Sequence, residues 1–449
     1  MSNLFGINGV RGVVNETLTS DVAMKLGRAV GRYYDGIVAV ATDTRVSADM
    51  IKNAVMAGLL AEGCDIFDLG VTPVPALQYF VKTHNDILGG IMITASHNTA
   101  EYNGIKCITS TGDELGEAGE KKIEENYDSD MPSHANRIGT VTPILRAGEE
   151  YVNAIMEHVQ VKDITRAKLR VVVDCANGAT SFTTPTLLQR LGVYTVTLNA
   201  NPQGELPGRP SEPTEENLSD VIALIKATGA DLGVAHDLDG DRVSFISNEG
   251  KFIEGDQALA IMAKHILSKR KGVVVTTVSA SSIVEDVVKE NGGVLICTAV
   301  GSPIVAKRMR VENAVFGGEE SGGMIFPEFQ YCRDPAMALV RMLECILKYG
   351  PIQEQVDKLP VYHMEKRDVF CPDDKKEALL EHIIGKCKEE NIDKSDGYLK
   401  VFFKDGWVLA RPSGTENKFR IFSESTNQKK ATSRANEYEK YALGFMFSV

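Results

Sequence analysis

The 449-residue sequence has no run of about 18 apolar residues, the length that crosses a bilayer as a helix. Its start, Met-Ser-Asn-Leu-Phe-Gly, lacks the basic stretch and apolar core of a secretion signal. No membrane partner is expected, and a cytoplasmic location is. The chain also has no C-x-x-C: its eight cysteines are scattered singly, with Cys175 and Cys297 in or beside apolar strand-like runs. Buried thiols in a reducing compartment are therefore expected, in place of disulfides or a zinc site. Basic charge is in short supply, with 49 Lys and Arg against 61 Asp and Glu for a net charge of −12. That argues against a nucleic-acid partner, which is bound through concentrated Lys and Arg, and leaves an anionic ligand dependent on a local basic pocket. No G-x-x-x-x-G-K-S/T occurs, so a nucleotide P-loop is not the phosphate device.

What is present is ordinary globular composition, 43% hydrophobic and 24% charged, over a length that needs three or four cores. Three apolar runs each break into small polar residues and then a helical pattern: VAVATDTRVS from Val38, VVVDCANGAT from Val171 and VVVTTVSASS from Val273. A recurring strand followed by a helix marks α/β layers, and the spacings of 133 and 102 residues are of domain size. The fold expected is three tandem similar α/β domains with mixed sheets plus a smaller C-terminal α+β domain around a central cleft. Its pieces are residues 1–148, 149–253, 254–360 and 361–449, with pattern lapsing into turn formers at DSDMPSHANRIGT, at NEGKFIEGD and from Lys358 to Asp374. In the last piece YLKVFF and WVLARPS flank Lys404-Asp405-Gly406, a hairpin signal, and FRIFSES precedes a charged helix. Residues 202–217, PQGELPGRPSEPTEEN, have no apolar period and read equally as a lid or a plain connection.

Four loops carry chemistry. An apolar strand end runs into Thr94-Ala95-Ser96-His97-Asn98, with Tyr102-Asn103-Gly104-Ile105-Lys106 close behind. A serine at a strand terminus is presented as a nucleophile must be, though a helix N-cap explains this segment as well. Asp237, Asp239 and Asp241 alternate between two strand-like runs, where they can converge on one hard cation such as Mg²⁺; an acidic turn is the alternative. An EF-hand fails the count, since its sixth and twelfth positions would be Arg242 and Asn248. Arg242 is placed to balance the carboxylates or touch phosphate. Glu319, Glu320 and Ser321 lie in a glycine-rich turn suited to the hydroxyls of a sugar, or in a plain turn. Arg411, Ser413, Gly414 and Thr415, with Arg420 close behind, offer guanidinium forks, hydroxyls and free backbone N–H groups to a phosphate dianion, or form a polar hairpin. Nucleophile, cation site, polyhydroxyl turn and phosphate clamp lie one to a domain, which a cleft between domains would unite.

In order and wording these loops resemble the α-D-phosphohexomutase family, which includes phosphoglucomutases, phosphomannomutases and phosphoglucosamine mutases. The resemblance runs from FGINGVRG at Phe5 to RPSGTENKFR at Arg411. It implies that Ser96 carries phosphate and that Asp237, Asp239 and Asp241 hold Mg²⁺ together with a phosphoserine oxygen. Glu319 and Ser321 match the sugar-contacting positions, and Arg411, Ser413, Gly414 and Thr415 the clamp on the non-reacting phosphate. Arg11, His97 and Lys106 match positions linked to proton transfer or charge stabilisation. The substrate implied is a hexose phosphate (glucosamine, mannose or glucose), with hexose 1,6-bisphosphate as intermediate and activator, in a monomer or homo-oligomer. Gly323 stands where many relatives carry His, Thr99 and Asn417 where Pro is common, Leu238 where Gly is usual, and Ala41-Thr42 where Gly-Arg is familiar. The GEESGG wording resembles archaeal-type members. The competing expectations are a phosphatase, if water intercepts phosphoserine, and a non-catalytic sugar-phosphate sensor.

Overall fold

The computed structural model describes residues 4–6, 9–129, 135–394, 397–414 and 416–447. Ile7 and Asn8 of FGINGVRG, residues 130–134 of the first turn-rich stretch, and Thr415 of the clamp lie outside them.

The first sheet comprises β1 (Phe5–Gly6), β2 (Gly9–Val13), β3 (Ile37–Thr42), β4 (Ile66–Val71), β5 (Ile87–Ile93), β6 (Tyr102–Thr109) and β7 (Val141–Pro143), in the order β1-β2-β6-β5-β3-β4-β7. The second has β8 (Arg170–Asp174), β9 (Tyr194–Leu198), β10 (Leu232–His236), β11 (Val243–Ser247) and β12 (Phe252–Ile253), ordered β12-β11-β10-β8-β9. The third has β13 (Val273–Thr277), β14 (Val294–Thr298), β15 (Phe316–Glu319), β16 (Gly323–Phe326) and β17 (Gln330–Arg333), ordered β14-β13-β15-β16-β17. The fourth has β18 (His363–Phe370), β19 (Ile392–Asp393), β20 (Leu399–Phe403), β21 (Gly406–Pro412) and β22 (Lys418–Ser425), ordered β18-β22-β21-β20-β19, and is antiparallel throughout.

The three apolar runs become β3, β8 and β13, each between two parallel neighbours. Strands buried on both faces by helices need apolar residues at successive positions, which is why these runs show no alternation. Each of the first three sheets then turns antiparallel on one side, at β5-β6, β10-β11 and β15-β16, so the sheets are mixed as expected. The loops that follow β5, β10 and β15 carry Ser96, Asp237 and Glu320, so all three leave the C-terminal ends of parallel strands, where open α/β sheets gather their sites.

Two expectations need correction. The stretch from Lys358 to Asp374 holds a strand, β18: it is the edge of the fourth sheet with mostly part-exposed residues, so it has no apolar run to announce it. Cys297 is exposed because β14 is an edge strand, while six of the other cysteines are buried and Cys387 is half-buried; all eight are free thiols. The β20–β21 hairpin and the final helix, Gln428–Met446, lie where the sequence places them. Among the described residues no helix is long and apolar enough to cross a membrane.

One continuous core joins the second and third sheets and reaches Ala76 of the first domain. The fourth domain has its own core around Phe419 and Ile421, and meets the third through a small cluster of Val278, Tyr398, Trp407, Leu409 and Phe422.

Candidate active site

Ser96 follows β5 in an irregular loop and is no helix cap. Its backbone is left-handed, φ 51°, a conformation a non-glycine residue keeps only when its surroundings impose it. Those surroundings are specific. Arg45 donates from Nη2 to the carbonyls of Ser96 and Asn98 at 2.8 and 2.6 Å, and from Nη1 to those of Thr99 and Tyr102 at 2.6 and 2.9 Å. The Ser96 N–H donates to Thr94 Oγ1 at 2.8 Å. The side chain is not exposed as the strand-end argument expects: Ser96 is 1% accessible, because Oγ turns inward to donate to Asp237 Oδ2 at 3.0 Å, 3.4 Å from His97 Nδ1.

Asp237, Asp239 and Asp241 are brought together with one oxygen of each within 4.8 Å of the others, all buried. Lys106 Nζ donates to Asp239 Oδ2 and Asp241 Oδ2 at 2.8 and 2.9 Å, and Arg333 Nη2 to Asp241 Oδ2 at 2.6 Å. Burial and the charges of Asp239 and Asp241 push the Asp237 carboxyl well above the usual range. Asp239 Oδ1 and Asp241 Oδ1 are buried with no hydrogen-bond partner. Unsatisfied buried carboxylate oxygens repelling one another fit a divalent cation, which would supply the missing ligand field. Burial, then Arg242 and Arg11, push the His97 imidazole down to about 2, so its ring is neutral. Lys106 stays charged: burial works against it, but Asp239 and Asp241 raise it.

The turn after β15 reaches the same place. Glu319 Oε1 accepts from the Gly301 N–H at 3.0 Å and its carboxyl is pushed up by burial; Ser321 is exposed at the tip. Glu320 accepts from Ser279 Oγ at 2.6 Å and Thr277 Oγ1 at 3.0 Å. At Gly322, φ 92°, a Cβ would overlap the carbonyl of Val243, so glycine lets this turn lie on the strand after the carboxylates. From the fourth domain Arg411 and Arg420 face each other across β21 and β22. Arg420 Nη2 pairs with Glu416 at 2.6 Å, while Arg411 has no ion pair among the described residues. A cavity of about 170 Å³ is lined by Arg11, His97, Arg242, Glu319, Ser321 and Arg411 with Ser413, Gly414 and Arg420, and adjoins one of about 960 Å³ that shares Arg11, His97, Ser321 and Arg420. Arg11 Nη1 donates to Asn98 Oδ1 at 2.6 Å, and Arg242 Nη1 to Glu212 Oε1 at 3.4 Å. The expected residues of the sugar turn and the clamp inside the described segments thus line one cleft with Arg11, His97 and Arg242, while Ser96, Lys106 and the three aspartates lie buried behind it, joined to its lining through His97 and Arg333.

Sequence reasoning missed Arg209, Ser211 and Arg333, and gave no role to Arg45, which ends the segment Ala41-Thr42-Asp43-Thr44-Arg45. The 202–217 segment is neither free lid nor plain connection. Arg209 donates to Asp174 Oδ2 at 3.0 Å and the His236 carbonyl at 2.6 Å, and Ser211 Oγ lies 3.2 Å from the Ser96 carbonyl and 3.1 Å from the Leu238 N–H. It ties the serine loop to the carboxylate loop. The one signal available was an arginine inside a proline-rich run with no apolar period.

The chain matches phosphoglucomutase/phosphomannomutase domains along its length: alpha/beta/alpha domain I over residues 2–133, II over 149–250, III over 254–362, and the C-terminal domain over 369–440. It is 40% identical over 444 residues to a probable phosphoglucosamine mutase of Methanopyrus kandleri, covering 98% of this chain and 97% of that one. It is 42% identical over 445 residues to a phosphoglucomutase/phosphomannomutase of Thermococcus kodakarensis, covering 96% of each. A solved phosphoglucomutase/phosphomannomutase family protein of Burkholderia thailandensis superposes with a TM-score of 0.87 at 27% identity, covering 98% of this chain and 96% of that one.

Proposed function

The chain belongs to the phosphoglucomutase/phosphomannomutase family, the α-D-phosphohexomutases, and from that premise we propose how its own residues interconvert hexose 6-phosphate and hexose 1-phosphate. The observation that carries the reading is the contact of Ser96 Oγ with Asp237 Oδ2, beside His97 of a cleft lined also by Arg411 and Arg420. Ser96 is the phosphoryl carrier. Phosphoserine gives its phosphoryl group to the free hydroxyl of a hexose monophosphate: the serine P–O bond breaks, the sugar P–O bond forms, and the hydroxyl proton ends on Ser96 Oγ. The resulting hexose 1,6-bisphosphate turns over and returns its other phosphoryl group to Ser96. Asp237, Asp239 and Asp241, with a phosphoserine oxygen, would hold Mg²⁺, which when bound neutralises charge on the phosphoryl group.

His97, a neutral imidazole with Nδ1 3.4 Å from Ser96 Oγ, relays this proton, accepting at one ring nitrogen as it donates from the other, while Lys106 and Arg11 offset developing negative charge. Glu319 and Ser321 accept sugar hydroxyls. Arg411, Arg420, Ser413 and Gly414, with Thr415, hold the far phosphate, and Arg242 supports the near one. We take the four sheets as the cores of domains 1–148, 149–253, 254–360 and 361–449. Among hexoses, glucosamine phosphate fits best. Glu320 places a carboxylate in the lining of the cleft beside the sugar turn, which suits a 2-ammonium group, and a relative at 40% identity is named as a probable phosphoglucosamine mutase.

The test is isomerisation of glucosamine, mannose and glucose phosphates side by side, with Mg²⁺ and catalytic hexose 1,6-bisphosphate, and intact mass for phosphate on Ser96. Ser96→Ala should lose about a thousandfold or more in kcat. No isomerisation of any of the three, with Ser96→Ala no worse than wild type, would refute the reading.

A further inference from the structure

We propose that Arg333 is a positioning residue of this site, the cation that holds the sugar turn and the metal loop in register, and that residue 323 is glycine to let the arginine through. The proposal rests on the roles given above to Glu319 and Asp241.

β17 runs antiparallel to β16 with Arg333 opposite Ile325, and β16 begins at Gly323, opposite Glu319. From this register the Arg333 side chain must cross β16 at Gly323 to reach the cleft. A Cβ on Gly323 would overlap Arg333 Cδ and lie 2.9 Å from its Cγ. Neither atom can retreat, because the guanidinium beyond them is fixed and only 4% of the residue is exposed. There it meets carboxylates from three domains: Nη2 is 2.6 Å from Asp241 Oδ2 and 3.6 Å from Glu114 Oε1, and Nη1 is 3.9 Å from Glu319 Oε2.

One planar group thus faces the metal loop with one nitrogen and the sugar turn with the other. A guanidinium can do this because its nitrogens are held rigidly apart, whereas an ammonium is a single point of charge. Its removal would leave Asp241 and Glu319 as buried like charges with less to hold them in place. The effects on the two ligands should have opposite signs. A hexose phosphate, which needs Glu319 in place and carries negative charge, should bind less well. A divalent cation, relieved of a positive neighbour on Asp241, should bind as well or better.

The experiment compares wild type with Arg333→Ala, Arg333→Lys, Gly323→Ala and the Arg333→Ala/Gly323→Ala double variant. KM and kcat are measured for hexose phosphate, Mn²⁺ affinity by calorimetry on dephosphorylated protein, and melting temperature. Arg333→Ala should raise KM on the order of tenfold with Mn²⁺ affinity unchanged or increased, and Arg333→Lys should not restore it. Gly323→Ala should reproduce the rise in KM. Added to Arg333→Ala it should change KM by less than about twofold, since the side chain it obstructs is gone. Should Arg333→Ala not fold, Gly323→Ala and Arg333→Lys carry the same comparison. The proposal is overturned if Gly323→Ala leaves KM at the wild-type value, if the two substitutions multiply, or if Arg333→Ala weakens Mn²⁺ and hexose phosphate alike. Wild-type turnover in these assays separates failure of this proposal from failure of the mutase reading.

Discussion

Arg45 shows how a loop without secondary structure is held to catalytic tolerance. Its side chain is wholly buried and gathers four carbonyls between Ser96 and Tyr102, while Nε pairs with Asp43 at 3.2 Å. Asp43 also accepts from Thr94 Oγ1 at 2.6 Å, so a single ion pair fixes both ends of the turn that imposes a left-handed backbone on Ser96. Arg45→Met would leave those carbonyls unsatisfied and Asp43 as an uncompensated buried charge, a loss of about 3–5 kcal/mol. We expect its urea midpoint to fall and its phosphoserine content, read by intact mass, to drop. An unchanged midpoint would mean that the loop is held by other contacts. Ser96 and the three aspartates were legible in the sequence because each group is contiguous and its wording local. Arg333 was not: its partner Asp241 lies 92 residues away, and no pattern in its segment marks an arginine that is satisfied elsewhere. Arg45 was legible as the end of Asp43-Thr44-Arg45, but its hold on carbonyls 51 to 57 residues away was not.

Among elements, the β15–β16 hairpin and the helix Gly255–Lys269 form the wall behind the proposed sugar turn. The helix starts so close that a Cβ on Gly255 would overlap the Glu320 carbonyl, and Asp256 in its first turn accepts from the Ser281 N–H at 2.9 Å. Burial, then the charge of Glu320, push the Asp256 carboxyl up to about 7. An unfolded aspartate titrates near about 3.9, so between that pH and about 7 the folded chain binds more protons than the unfolded one. Stability from this group is therefore lost as pH rises through that window and levels off above it. Asp256→Asn keeps the acceptor for Ser281 and removes the titration. Relative to wild type it should gain stability on going from pH 5 to pH 8, measured as urea midpoints at both. A difference between the two proteins that does not change with pH would disprove the link. Elements were legible where burial on both faces forces an apolar run, as in β3, β8 and β13. They were hidden where an edge leaves residues half-exposed, as in β18.

For the whole molecule, the cores divide the protein unequally. The second and third domains share one core that extends to the first, and the loops of Ser96 and the three aspartates rest on these domains. The fourth is attached by the Val278–Trp407 cluster, by Lys400 Nζ donating to the Val278 carbonyl at 2.6 Å, and by Glu424. The Glu424 carboxylate, fully buried, accepts from the Ser282 N–H at 3.0 and 3.2 Å, at the start of the helix Ser282–Glu290, where the helix dipole favours an anion. Glu424 lies on β22, the strand that carries Arg420, so this one contact fixes the proposed phosphate clamp relative to those loops. Interfaces between domains of one chain permit relative motion unless specific contacts resist it. Glu424→Ala should loosen the fourth domain, raising the radius of gyration in small-angle X-ray scattering and KM for hexose phosphate on the order of tenfold, ~1.4 kcal/mol of binding. Mn²⁺ affinity should not change, because Asp237, Asp239 and Asp241 rest on the shared core. If scattering and KM both match wild type, the apolar cluster and Lys400 set the clamp's position without Glu424, and disruption of the cluster at Trp407 becomes the decisive substitution.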